Sequence, residues 1–159
     1  KYQKAKALKA FYAELKKAMI DLAKKIVLDG EGAKKFIEIT VINAKTATSA
    51  KKICFSIANS LLVKTAIAGE DANWGRLIMA IGKTKINLKI ENIKIYIQNF
   101  LLCENGKAIN AIDDTKLSLA LKRKTVNIKV DLGEGGRKFT VWTSDLTEDY
   151  VRINADYRS

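Results

Sequence analysis

The side chains with chemical potential gather in a few short stretches. Asp29-Gly30-Glu31-Gly32-Ala33 sets two carboxylates among glycines. Glycine lets a backbone approach a ligand closely, so a carboxylate on such a loop can pair with an ammonium group. By pattern alone the same residues read as a helix stop with solvated acids. Leu62-Val63-Lys64-Thr65-Ala66 and Gly69-Glu70-Asp71-Ala72-Asn73-Trp74-Gly75-Arg76 mix charged and amide residues with apolar ones. Two readings of them are level. Either Asp71 or Asn73 caps the next helix, or Lys64, Asp71 and Arg76 form a buried polar network that orders a site. Gly133-Glu134-Gly135-Gly136 lacks the Lys-Ser/Thr and the helix start of a phosphate loop, and reads as a hairpin turn. Ala47-Thr48 is the type of bond that some self-cleaving enzymes cut to free an N-terminal Thr, whose own α-amino group then acts as base. Its setting reads instead as a helix cap.

Absences narrow the chemistry further. The chain has no His, which excludes a Ser-His-Asp or Cys-His mechanism within it and a His-based zinc site. Cys54 and Cys103 are its two cysteines. They form neither a C-x-x-C pair nor a zinc spacing, so no metal is expected. Nothing requires them to bridge, and a reduced cytoplasmic protein is the simpler reading.

The elements that must position these residues are legible in part. Leu8, Phe11, Leu15, Met19, Leu22 and Ile26 recur at helical spacing, with lysines on the other face. The glycines at 30 and 32 end that helix. Ile37, Ile39 and Val41 alternate as a half-buried strand. Thr48 or Ser49 is placed to cap a second helix through Ala50, Ile53, Cys54, Ile57 and Leu61, and a third helix is expected from about Asn73 through Met79 to Ile81. From Ile86 the character becomes β, with Ile93, Ile95 and Ile97 alternating. Asn105-Gly106 is a hairpin turn, since both residues tolerate positive φ. Asp113 or Asp114 caps a short helix through Leu117 and Leu121. Val126, Ile128 and Val130 form another strand, turned at 133–136 and answered by Phe139 to Trp142 as a hairpin. The tail from Thr147 to Ser159 shows no clear period. Helices and strands are mixed, with β hairpins late, so the fold class is α+β rather than strict βαβ.

The length of 159 residues suits one domain, and a hydrophobic fraction of 48% argues against disorder. No apolar run spans a bilayer, and the first residues are too polar for a secretory signal. The net charge of +12 admits a basic nucleic-acid-binding module. The lysines are scattered, however, and no RNP-like stretch, zinc finger or basic zipper accompanies them, which favours a solvated surface and neither a nucleic-acid nor a membrane partner.

Six motifs stand in one order: D-G-E-G-A at 29–33, L-V-K-T-A at 62–66, G-E-D-A-N-W-G-R at 69–76, V-D-L-G at 130–133, W-T-S-D-L-T at 142–147 and Y-V-R-I-N-A-D-Y-R-S at 150–159. In this the chain resembles the ornithine acetyltransferase (glutamate N-acetyltransferase) family, over nearly its whole length from Leu22. Leu61, Ala68 and Ser159 depart from residues common in the family, which are Pro, an aromatic and Thr. The resemblance implies a precursor of N-terminal-nucleophile type that cleaves itself at an Ala-Thr bond. The freed Thr takes acetyl from N-acetylornithine and passes it to glutamate in arginine biosynthesis. No resident cofactor is implied, although some members also use acetyl-CoA.

By the same resemblance residues 1–159 are a single carboxy-terminal domain of the β chain. The nucleophile lies in an upstream β segment and the oxyanion hole in an α chain, so neither is expected here. The implied partners are that α chain and that segment, in an α2β2 or larger assembly, with ornithine, glutamate and N-acetylornithine as small-molecule substrates. Glu31, Asn154 and Ser159 match substrate-binding residues, and Lys64, Asp71, Asn73 and Arg76 are placed to support the site. Tyr150, Val151 and Tyr157 are expected to anchor the tail. The competing reading is an amidohydrolase or aminopeptidase of the same nucleophile type on a related fold.

Overall fold

The computed structural model describes residues 2–156, and the side chains from residue 7 onward. In chain order the helices are α1 (Tyr2–Leu28), α2 (Ala47–Ala58), α3 (Leu61–Ala68), α4 (Trp74–Gly82), α5 (Asp114–Leu121) and α6 (Glu148–Asp156). The strands are β1 (Phe36–Ala44), β2 (Lys94–Ile97), β3 (Phe100–Glu104), β4 (Lys107–Ala108), β5 (Thr125–Asp131) and β6 (Arg137–Ser144). They form one mixed sheet in the order β4-β3-β2-β5-β1-β6. The α+β expectation holds.

One face of the sheet is the core. Ile37, Ile39 and Val41 of β1, Ile95 and Ile97 of β2, Val126, Ile128 and Val130 of β5, and Val141 of β6 are all buried. They pack with Ala50, Ile53, Cys54 and Ile57 of α2, Leu77 and Ile81 of α4, and Leu117 and Leu121 of α5. Strand alternation sends Glu38, Thr40 and Trp142 to the opposite face. There the Trp142 indole donates to Glu38 Oε2 at 2.8 Å, and the Thr40 and Thr140 hydroxyls meet at 2.9 Å.

The expected hairpin of the last two strands does not form. β1 lies between them, parallel to β5 and antiparallel to β6. Burial decides this: β1 is apolar along one face and supplies the central hydrogen-bonding partner that both neighbours need. The turn at 133–136 therefore bridges the end of β1. The backbone N–H groups of Glu134 and Gly135 both donate to Asn43 O, and a Cβ at Gly135 would lie 2.6 Å from Ala44 O. The Asn105-Gly106 turn is as expected, with φ of 54° and 71°.

Four local expectations shift. The cap of α2 is Thr46, whose hydroxyl accepts from Ser49 N at 3.0 Å, so Ala47 and Thr48 sit inside the first turn. α2 ends at Ala58, and Ser60 caps a separate α3. Leu61 thus starts that helix, exposed, rather than extending the buried stripe of α2. The aperiodic tail is helical through α6. In α1, Leu8, Phe11, Leu15, Met19, Leu22 and Ile26 are all exposed. The helix instead rests its half-buried Ile20, Ala23, Lys24 and Val27 toward the sheet, with the Lys24 ammonium 5.1 Å from the centre of the Trp142 ring. That face is one residue, or about 100°, around from the stripe.

Candidate functional site

The loop between α1 and β1 carries Glu31. Asp29 N and Gly30 N close the last turn of the helix on Lys25 O and Val27 O, and Ala33 N returns to Gly30 O. Gly32 has φ of 66°, a region an L side chain rarely adopts. A Cβ there would lie 2.5 Å from the Tyr150 nitrogen. Glycine at this position thus lets the loop lie directly on the first turn of α6.

That contact unites the tail and the loop. The Asn154 side-chain amide donates to Glu31 Oε2 at 3.3 Å and to Tyr150 O at 2.9 Å. Two of the three expected substrate contacts, far apart in sequence, therefore touch. Ser159 and Tyr157 lie outside the described residues. The anchoring expected of Tyr150 and Val151 is not what holds α6, since both side chains are exposed. One ion pair ties it to the loop, the Lys34 ammonium meeting Asp149 Oδ2 at 2.8 Å, while within the helix Arg152 donates to Asp149 Oδ1 at 2.9 Å. Asp149 stands in the first turn of α6, where a carboxylate also suits the helix dipole. The hydrogen bonds from Lys34 and Arg152 hold its carboxyl below the ordinary value, and Asp149 in turn raises Lys34.

Behind the loop, Asp145 is buried at 3% exposure. Its Oδ1 accepts from both Lys34 N, at 2.9 Å, and Lys35 N, at 3.0 Å, while Asp145 N donates to Lys35 O. Asp145 Oδ2 is buried without a hydrogen-bond donor among the described residues. The Thr147 hydroxyl donates to Gly32 O at 2.6 Å, and Leu146 N donates to Lys64 O. The Lys35 ammonium is buried too, donating to Glu70 Oε1 at 3.0 Å and Leu121 O at 2.6 Å. Neither Asp145 nor Thr147 was singled out by spacing. Both lie in the W-T-S-D-L-T motif, which was their one signal.

The supporting residues divide. Asn73 caps α4 by accepting from Arg76 N at 3.1 Å, and its amide donates to Asp71 Oδ2. Arg76 donates to Leu62 O at 2.9 Å, bracing α4 against α3. Lys64 contributes its carbonyl. Asp71 is exposed and Arg76 only half-buried, so the capping reading prevails over the buried network: short polar side chains at a helix start satisfy backbone groups first.

A cleft of about 530 Å³ lies beside the loop, lined by Lys34, Thr65, Gly69, Thr147 and Asp149 among others. A larger groove of about 640 Å³ between α2, α3 and α4 includes Phe55, Leu61, Arg76 and Met79; neither cavity is lined by Glu31 or Asn154. As to nucleophiles, burial pushes the Cys54 thiol up to about 11 and raises Cys103 as well, so both stay protonated at neutral pH. No group of three or more Cys, Asp or Glu suited to a metal occurs among the described residues. What this region offers is a carboxylate and an amide in contact at a loop–helix junction.

The ArgJ family model matches residues 1–159. Arginine biosynthesis bifunctional protein ArgJ of Mesorhizobium japonicum is 48% identical over 94% of this chain and 36% of its own length. That of Brucella suis is 47% identical over 97% of this chain and 37% of its own. The crystal structure of arginine biosynthesis bifunctional protein ArgJ from Bacillus halodurans superposes with a TM-score of 0.88 at 41% identity, covering 93% of this chain and 70% of that one. The chain thus spans little more than a third of the length of these curated relatives, and it belongs to the ArgJ family.

Proposed function

We propose that this chain is the carboxy-terminal β-chain domain of a glutamate N-acetyltransferase, and that it supplies the substrate-recognition side of a site whose nucleophile is elsewhere in the precursor. The observation that carries this reading is the contact of Asn154 with Glu31 across 123 residues of sequence. A helix from the end of the chain lies on the Gly-flanked loop that carries Glu31, which brings a carboxylate and an amide to one place.

The reaction is a ping-pong transfer. The Thr hydroxyl attacks the acetyl carbonyl of N-acetylornithine while its α-amino group takes the proton, ornithine leaves, and glutamate's amine attacks the resulting acetyl ester. Glu31 pairs with a substrate ammonium, with Asn154 holding the carboxylate in place and Ser159 supplying a hydroxyl at the end of the chain. No bound cofactor is needed, and acetyl-CoA is the alternative acetyl donor that the family resemblance admits. The α chain and the upstream β segment complete the enzyme in an α2β2 or larger assembly. Two buried free thiols accord with a reducing cytoplasm.

The test is Glu31→Gln in the complete enzyme. KM for N-acetylornithine should rise about tenfold or more, with a smaller change in kcat. Unchanged kinetics would remove Glu31 from the substrate site. Release of free acetate without dependence on an acceptor would replace the transferase reading by the amidohydrolase one.

A further inference from the structure

We propose that Asp145 and Thr147 are positioning residues for substrate binding, a strap that sets the Glu31 loop against the helix carrying Asn154. The inference rests on the substrate role of Glu31 and adds the means by which that role is achieved.

Glu31 and Asn154 are exposed, and their mutual hydrogen bond is long at 3.3 Å. A contact of that kind contributes little by itself and does not hold a loop and a helix in register. Segment 145–147, which links β6 to α6, does. From one side it grips the loop with four hydrogen bonds: Lys34 N and Lys35 N to Asp145 Oδ1, Asp145 N to Lys35 O, and Thr147 Oγ1 to Gly32 O. Bonds to a buried carboxylate are the stronger sort, and the 2.6 Å Thr147 bond falls on the residue next to Glu31. From the other side the same segment leads directly into α6, whose Tyr150 backbone packs on Gly32. Two short connections from one rigid strand end thus determine where Glu31 and Asn154 meet. A shift of about 1 Å in such a pair is enough to lower binding or rate by up to about a hundredfold.

The strap is distinguished from ordinary packing by a double-mutant cycle in the complete enzyme. Thr147→Val keeps the shape and removes the bond to Gly32 O. KM for N-acetylornithine should rise about tenfold with kcat within about twofold, and Thr147→Ser should restore KM. If Thr147 acts through Glu31, Glu31→Gln with Thr147→Val should be no worse than Glu31→Gln alone. Asp145→Asn, which retains an acceptor, should raise KM less than Asp145→Ala; should the alanine variant not fold, the Thr147 series decides. Ser56→Ala removes a bond of the same type, Ser56 Oγ to Ala80 O at 2.6 Å, in another part of the fold, and should leave KM unchanged.

A silent Thr147→Val, fully additive effects, or an equal KM rise in Ser56→Ala would each overturn the strap while leaving the substrate role of Glu31 intact. A silent Glu31→Gln would overturn that role first, and the strap with it.

Discussion

α1 and α2 carry the same signal and meet different fates. Each has large apolar residues at three- and four-residue spacing with lysines on the opposite side. In α2 the stripe is sealed: Ala50, Ile53, Cys54 and Ile57 are 0% exposed against β1 and β6. In α1 the six stripe residues range from 42% exposed at Leu15 to 75% at Ile26. The helix touches the sheet through its neighbouring face, around Trp142. Periodicity reports that a face is built to be covered, and it does not report by what. For α2 the cover is this chain's own sheet. For α1 it is not, and a continuous exposed apolar stripe of this size marks a contact surface.

The comparison breaks most visibly at Ile53. Ile53→Ala should destabilise the 159-residue chain by about 2–4 kcal/mol, because a core methylene deletion leaves a cavity as well as losing transfer energy. Denaturant unfolding measures it, and a loss below about 1 kcal/mol would mean that α2 is not seated as described.

A smaller effect should come from Cys54 on the same buried stripe. Its folded pKa is about 11 against an ordinary 9.0. Between those values the unfolded chain releases the thiol proton and the folded chain keeps it, so stability falls as pH rises. The contribution is fully present below pH 9 and lost as pH rises past about 11, roughly 3 kcal/mol in all. Cys54→Ala should flatten that part of the alkaline stability profile. An unchanged slope would show that the thiol is not closed off.

The smallest effect belongs to α1. Leu15→Ala in the 159-residue chain should change stability by no more than about 0.5 kcal/mol, as exposed substitutions do. The same change in the complete protein sharpens the comparison: a cost of about 2 kcal/mol or more there would show the stripe to be covered by the rest of the enzyme, and an equally small cost would show it bare.

The unequal legibility of the two helices recurs across the molecule. Short-range chemistry was readable: Asn105-Gly106 turned where two positive φ values were required, and Asp113 capped α5 by accepting from Lys116 N. At the start of α2, where Thr48 or Ser49 was expected to cap, Thr46 does so instead, two residues after β1 ends at Ala44. The tail helix α6 was missed because its apolar residues face no core; ion pairs to Lys34 and Arg152 sustain it. The expected hairpin of β5 and β6 failed because a strand from the other end of the chain entered between them, and no local pattern announces such an insertion.

The Glu31–Asn154 pair shows the division most plainly. Sequence alone determined that a carboxylate stood between glycines, that His chemistry was excluded, and that ordered motifs resembled one family. Those are properties of residue type, spacing and order, and they survive any packing. Tertiary structure alone decided that the loop and the tail meet, that Asp145 and Thr147 tie them, and that Asn73 and Arg76 serve helix ends instead of a buried network. The reason is physical. Hydrogen bonds and burial depend on distance in space, and residues 31, 145 and 154 become neighbours only after β1 has taken its place between β5 and β6.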